Sequence, residues 1–345
     1  GFTDCDLGFG ELIEASGSLG DGGYDASGCY VVPGYVDIHT HGAMNRDFSD
    51  GDAAAMPVLA DYYARNGVTS FLATTMTLKE PELTRAMHAV RDAGGTGAAR
   101  CAGVHLEGPF LSYNKRGAQN PDNLHAPDAD MLERLSAASG GAVRMVTVAP
   151  EVEGAEEFIP RAAGICTVSV GHTEADYDTA MRAYSLGAGH ATHLFNAMPP
   201  IHHRKPGVIG AAFDSGASTE IICDGLHVHP SAVRMAFALF AGRLSLISDS
   251  LRCAGMPDGE YELGGLPIRL SGGVARLLDG TIAGSCISVG EAVRRAVSFG
   301  IPLETAIEAA TIVPARAAKL DDCGSLAPGK RADITVLDDQ LNVKA

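Results

Sequence analysis

Short apolar runs alternate with stretches of helical periodicity along most of the chain, and that alternation predicts a βα repeat. Eight runs read as strands: 35–41, 68–76, 101–107, 143–150, 166–172, 190–196, 219–227 and 244–249. Between them, apolar residues recur at i, i+3, i+4 and i+7, as in Met56, Leu59, Ala60 and Tyr63 and again in Val233, Ala236, Phe237 and Phe240. That spacing gives a helix one buried face. Gly67, Gly164, Gly187 and Gly242 stand where such helices should stop. Eight βα units in roughly 250 residues fit an α/β fold of the (β/α)8 TIM-barrel kind better than an open sheet. The barrel is expected over 34–317, interrupted at 260–283 by a hairpin insertion with Gly264-Gly265 and Gly272-Gly273 as its turns. The flanks, 1–33 and 318–345, are rich in Gly and β-type residues, and Asp333-Ile334-Thr335-Val336-Leu337 has a strand pattern.

Composition narrows the class. The 345 residues are 46% hydrophobic and 20% charged, enough for one large core with a small accessory domain. The net charge of −16 argues against nucleic-acid binding, which needs Lys and Arg concentrated on a face. Any anionic ligand must therefore meet a local cationic pocket. Eight cysteines occur without a CxxC pair, and Cys101, Cys166 and Cys223 lie inside apolar runs, which reads as reduced thiols in a cytoplasmic protein. No apolar run reaches the length of a membrane span, so no membrane partner is expected.

Chemistry concentrates where the predicted strands end. Tyr35-Val36-Asp37-Ile38-His39-Thr40-His41 finishes in two histidines at i and i+2, which an extended strand points to one face about 6–7 Å apart. Glu107, His172, His193, His227 and Asp249 cluster likewise at the C-terminal ends of the third, fifth, sixth, seventh and eighth strands. Singly, each has a plainer reading: His172 as a hydrogen-bonded loop histidine, Glu107 as a turn carboxylate, Asp249 as a helix cap. In a barrel, however, strand ends converge on one mouth, and independent accidents at so many of them are hard to credit. His88, His125, His202 and His229 fall on helices or loops and read as surface residues. Several imidazoles with a carboxylate suit a divalent metal such as Zn2+, with Fe2+ or Mn2+ as alternatives, and metal-assisted hydrolysis as the reaction class. Asp249 is then the proton carrier, and His227 is free to steady a carbonyl oxygen or a substrate hydroxyl.

The order His-x-His, His, His, Asp on successive strands resembles the amidohydrolase superfamily. His105-Leu106-Glu107-Gly108-Pro109-Phe110, Gly171-His172-Thr173, Ala191-Thr192-His193-Leu194-Phe195-Asn196-Ala197-Met198, Asp224-Gly225-Leu226-His227-Val228-His229, Ala254-Gly255-Met256-Pro257-Asp258-Gly259 and the closing Gly324 to Asp333 resemble the N-acetylglucosamine-6-phosphate deacetylase family. The resemblance implies that Glu107, His172 and His193 bind the principal metal and that Asp249 is the acid and base. It also implies that His227 touches the sugar and that Asn196, the Ala197 backbone and Arg204 take the phosphate of an amino sugar. Arg204 lies in His202-His203-Arg204-Lys205-Pro206, a positive patch suited to an anion, or else a solvated loop arginine. His39 and His41 are retained, so a second ion bridged by Glu107 is implied. Gln119, where some relatives carry histidine, and Leu251-Arg252-Cys253 depart from the family pattern. The termini resemble the small β-sandwich of these enzymes, which are homodimers. N-acetylgalactosamine 6-phosphate as the substrate, a dihydroorotase-like cyclic-amide hydrolase and a non-catalytic phosphosugar sensor are the alternatives. The fourth strand, 143–150, has no lysine for the metal bridge common in the cyclic-amide group.

Overall fold

The computed structural model describes residues 2–17, 23–93 and 97–345. Eight parallel strands form one sheet in sequential order. They are β1 (Tyr35–Thr40), β2 (Val68–Thr75), β3 (Arg100–Glu107), β4 (Val143–Val148), β5 (Thr167–Val170), β6 (His190–Ala191), β7 (Ser218–Ile222) and β8 (Leu244–Ile247). A helix follows each: α1 (Met56–Arg65), α2 (Glu80–Asp92), α3 (Ala129–Ala138), α4 (Ala155–Ala163), α5 (Tyr177–Ser185), α6 (Gly207–Ser215), α7 (Pro230–Leu239) and α8 (Val289–Ser298). The ring closes beyond the last strand, where Asp249 N donates to His39 O at 2.9 Å and His41 N to Ser250 O at 2.8 Å. This is a (β/α)8 barrel with additional antiparallel sheets.

The helical periodicity is explained by burial. Met56, Leu59, Ala60 and Tyr63 of α1 are buried against the sheet, as are Val233, Ala236 and Phe237 of α7 with Phe240 just beyond it. Gly67, Gly187 and Gly242 take left-handed conformations after their helices, whereas Gly164 ends α4 in the right-handed helical region. The main core lies between strands and helices, through Phe71, Val104, Val146, Leu83, Phe158 and Phe240. A second cluster joins Val36, Ile38, Leu72, Met145, Ile222 and Ile247 to Ala315 and Ala317 of the helix Ile312–Ala317.

Four strands that lead to site residues are shorter than the apolar runs suggest. The run 190–196 yields a strand of two residues, 219–227 stops at Ile222, 166–172 stops at Val170 and 244–249 stops at Ile247. His172, His193, His227 and Asp249 therefore stand in the loops just past the strands. The backbone supplies the reason: His172, His193 and Asp249 have φ of 48°, 24° and 48°. A non-glycine residue in that region leaves the β ladder and turns its side chain into the mouth, at a strain of about 1–3 kcal/mol each. Neighbouring bonds hold the strained turns: Ser112 N donates to His172 O, Leu194 N to Glu220 O, and Ser285 N to Asp249 O.

The termini meet. Tyr30–Pro33 pairs antiparallel with Ile334–Leu337, Asp6–Phe9 pairs with Ile13–Gly17, and Leu12 bridges Arg331. Among the described residues these are two short ribbons rather than broad sheets; residues 1 and 18–22 of the expected terminal domain lie outside the described residues. The insertion is a three-stranded antiparallel sheet, Gly259–Leu263, Leu266–Ser271 and Val274–Leu277, turning on left-handed Gly264-Gly265 and Gly272-Gly273.

Candidate metal centre

The groups expected at the strand ends converge at the mouth. Glu107 Oε1, at the end of β3, lies 3.1 Å from His172 Nε2 and 3.0 Å from His193 Nε2, and the two Nε2 atoms are 3.1 Å apart. Ligands placed 2.0–2.2 Å from a tetrahedral ion sit about 3.3–3.6 Å from one another, so these three atoms, slightly closer than that, can outline one face of such a metal site. On the other side, His39 Nε2 is 3.3 Å from Glu107 Oε1, and His41 Nε2 is 3.2 Å from Glu107 Oε2. Asp249 Oδ1 stands 3.6 Å from His39 Nε2 and 3.4 Å from His41 Nε2. Glu107 thus faces both groups.

The donor set fits metal on this structure's own terms. His172 Nδ1 donates to Lys115 O at 2.8 Å, so its Nε2 carries a lone pair aimed at the cluster. His39 Nε2 is buried without a hydrogen-bond partner among the described residues. Buried orphan nitrogens facing a carboxylate are costly without an ion or a proton to satisfy them. The electrostatics agree. Burial would raise the Glu107 carboxyl, but His39, His172 and His193 hold it well below the usual carboxylate range. Burial would lower His41, but the Asp249 and Glu107 carboxylates push it up to about 9.

Several contributors went unassigned in the sequence. Glu220, fully buried in β7, accepts from His39 Nδ1 at 2.5 Å and from the His193 backbone N–H at 3.1 Å. Burial opposes its ionisation, yet His39, His190 and His105 draw it down to about 2. Its signal was a lone acid inside the apolar run Thr219-Glu220-Ile221-Ile222. Gln119 donates from Nε2 to Glu107 Oε2 at 2.5 Å while its Oε1 accepts from Thr77 N at 2.7 Å. Beneath the cluster runs a buried polar belt. His105 donates from Nδ1 to Ile38 O and accepts from Thr147 at Nε2, Thr147 reaches Thr192, and Ser169 joins Thr192 to His190. Burial, aided by His39, pushes His105 down to about 3; it also pushes His190 down to about 4, so both are neutral.

The remaining expected residues lie in loops after the strands. His227 donates from Nδ1 to Asp224 Oδ2 at 2.7 Å, and that carboxylate is anchored by the backbone N–H groups of Leu226 and His227. Asn196 and Ala197 directly follow His193, and Ala197 has φ of 50°. Arg204 is exposed, with Nη1 2.6 Å from His203 Nε2; it is not drawn into the Glu107 cluster. His88, His125, His202 and His229 are exposed, and His229 caps α7. Arg252 pairs with Asp50 at 2.6 Å.

A parallel barrel whose mouth gathers imidazoles around a shared carboxylate defines a metal-dependent hydrolase. The chain belongs to the amidohydrolase family, whose model matches residues 30–345, and within it to the N-acetylglucosamine-6-phosphate deacetylases. It is 37% identical over 325 residues to that deacetylase from Bacillus subtilis (strain 168), covering 91% of this chain and 82% of the relative. It is 38% identical over 321 residues to an N-acetylgalactosamine-6-phosphate deacetylase from Escherichia coli O157:H7, covering 91% and 85%. A variant of the Mycobacterium smegmatis deacetylase, solved in complex with N-acetyl-D-glucosamine-6-phosphate, superposes with a TM-score of 0.90 at 37% identity, covering 96% of this chain and 90% of that one.

Proposed function

We propose that this protein hydrolyses the acetamide of N-acetylglucosamine 6-phosphate to glucosamine 6-phosphate and acetate, in amino-sugar catabolism or recycling. The observation that carries the reading is the meeting of Glu107, His172 and His193 beside Asp249 in a chain similar throughout to such deacetylases. Glu107, His172 and His193 would hold the principal ion, and His39 and His41 a second one shared through Glu107. The nitrogen-rich donors favour Zn2+ over Fe2+ or Mn2+. When bound, such an ion supplies a Lewis acid for the amide carbonyl and lowers the pKa of water towards ~7.

The protein's own groups do the rest. Asp249 takes a proton from the attacking water and returns it to the amine as the C–N bond breaks. His227, its Nδ1–H committed to Asp224, presents Nε2 to the substrate, accepting there from a sugar hydroxyl as the neutral ring or donating an Nε2–H to the acetamide oxygen as the doubly protonated ring. Asn196, the Ala197 backbone N–H and Arg204 receive the phosphate, a local cation in a chain of net charge −16. The eight free thiols support a reducing, cytoplasmic setting, and the relatives' likeness supports a homodimer, which light scattering tests.

Acetate release from the phosphosugar is the test. Protein stripped by chelator should be inactive and recover with Zn2+; a stripped sample of undiminished activity, or a reloaded one without any, overturns the reading. N-acetylgalactosamine 6-phosphate is the second reading, favoured by the 38% identical relative. Parallel kcat/KM values on the two epimers decide between them.

A further inference from the structure

Glu220 is buried at the centre of β7, touches two of the histidines at the mouth, and has no part in the proton transfers above. A carboxylate accepts hydrogen bonds and donates none, so the 2.5 Å contact with His39 Nδ1 places the ring hydrogen on Nδ1. The lone pair is then on Nε2, the atom that faces Glu107 at 3.3 Å and Asp249 at 3.6 Å. Were the hydrogen on Nε2 instead, it would donate to Glu107 Oε1 and fill the space between those carboxylates.

No neighbour can substitute. His105 lies close enough to group with His39 and Glu220, but both its ring nitrogens are engaged, by Ile38 O at 3.0 Å and Thr147 Oγ1 at 2.8 Å. His190 Nε2 approaches Glu220 Oε2 only to 4.0 Å, and neither atom has a hydrogen-bond partner among the described residues. This inner group is therefore a support rather than another ion site. We propose that Glu220 is the positioning residue that makes His39 a metal ligand, and that it thereby decides whether the centre holds one ion or two.

The inference rests on the metal-dependent reading above, and its test separates the two. Metal-free protein is titrated with Zn2+ by calorimetry, ion content is counted after dialysis, and the Co2+ form is followed by its visible absorption. Wild type should take up two ions per chain. Glu220→Gln keeps an acceptor for the His193 N–H but loses the charge, so it should weaken the second ion roughly 10–100-fold and the first by less than about threefold. Glu220→Leu, without any acceptor, should retain one ion at most; if it does not fold, the near-isosteric Gln variant still decides. Two ions held by Glu220→Gln at wild-type affinity, or both lost together from a folded protein, would overturn the role. Wild type that binds one ion and still releases acetate overturns it too and leaves the deacetylase reading standing, whereas fully loaded wild type releasing no acetate removes that reading itself.

Discussion

Asp249 sits in a left-handed turn, at φ of 48°, held by backbone bonds to His39 and Ser285, and its carboxylate stands beside His39 of β1 and His41 just past it. Asp249→Asn keeps the shape and removes the proton carrier, so kcat should fall about 10²–10⁴-fold with ion content unchanged. Near-normal kcat would exclude Asp249 from proton transfer. Arg204 is tested by substrate pairs: Arg204→Ala should raise KM for the phosphorylated sugar far more than for N-acetylglucosamine, and equal effects would refute the contact. Buried His190 makes a pH prediction. Its folded pKa of about 4 lies below the unfolded value, so its neutral form stabilises the protein fully above about pH 6.5 and that contribution drains away as pH falls to about 4. The loss is on the order of 3 kcal/mol. Asp37, pushed up to about 7 by burial despite its bonds to Ser248 and His39, acts in the opposite sense. The informative quantity is therefore the difference between wild type and His190→Gln: over pH 6.5 to 4, metal-free wild type should lose more stability in denaturant titrations, and parallel curves would contradict the assignment.

At the scale of elements, the active geometry depends on how closely strand ends approach. Gly171 follows β5, and a Cβ there would lie 2.6 Å from Thr192 Cβ and 2.9 Å from Thr147 Cγ2. Gly171→Ala must therefore force β5 away from its neighbours, at a cost of about 1–3 kcal/mol, and carry His172 with it. A lowered Tm together with weakened Zn2+ binding is expected; unchanged ion affinity would show that the loop absorbs the shift. The same closeness explains why apolar runs overstate strand length. Beyond Ala191 and Ile222 the chain stays buried through Thr192, His193 and Leu194 and through Cys223 and Asp224 although the ladder has ended, so burial and composition alone do not mark where it stops.

For the whole molecule, the barrel and the paired termini share one core. Leu337, in the C-terminal strand, is fully buried in the main cluster, and Thr335 Oγ1 donates to Gly67 O at 3.0 Å, tying the tail to the loop before β2. Leu337→Ala should cost about 2–5 kcal/mol and lower a single unfolding transition; two separate transitions would show the terminal ribbons melting independently. The alternation of strand and helix was legible because it is local: the periodicity around Leu59 or Val233 states which face is buried whatever the partner. So was the inventory of reactive groups, since His39, Glu107, His172, His193 and Asp249 each lie in the C-terminal part of an apolar run. The contacts were not legible. Glu220 meets His39 across 181 residues, Gln119 takes up Glu107, and Arg204 stays at the surface, none of which any spacing encodes. Which strand ends face one another depends on barrel closure and on left-handed turns at His172, His193 and Asp249, and those are set by packing between distant segments. Sequence alone determined the elements and the chemical types at their ends; tertiary structure alone decided the distances that let an ion sit among them.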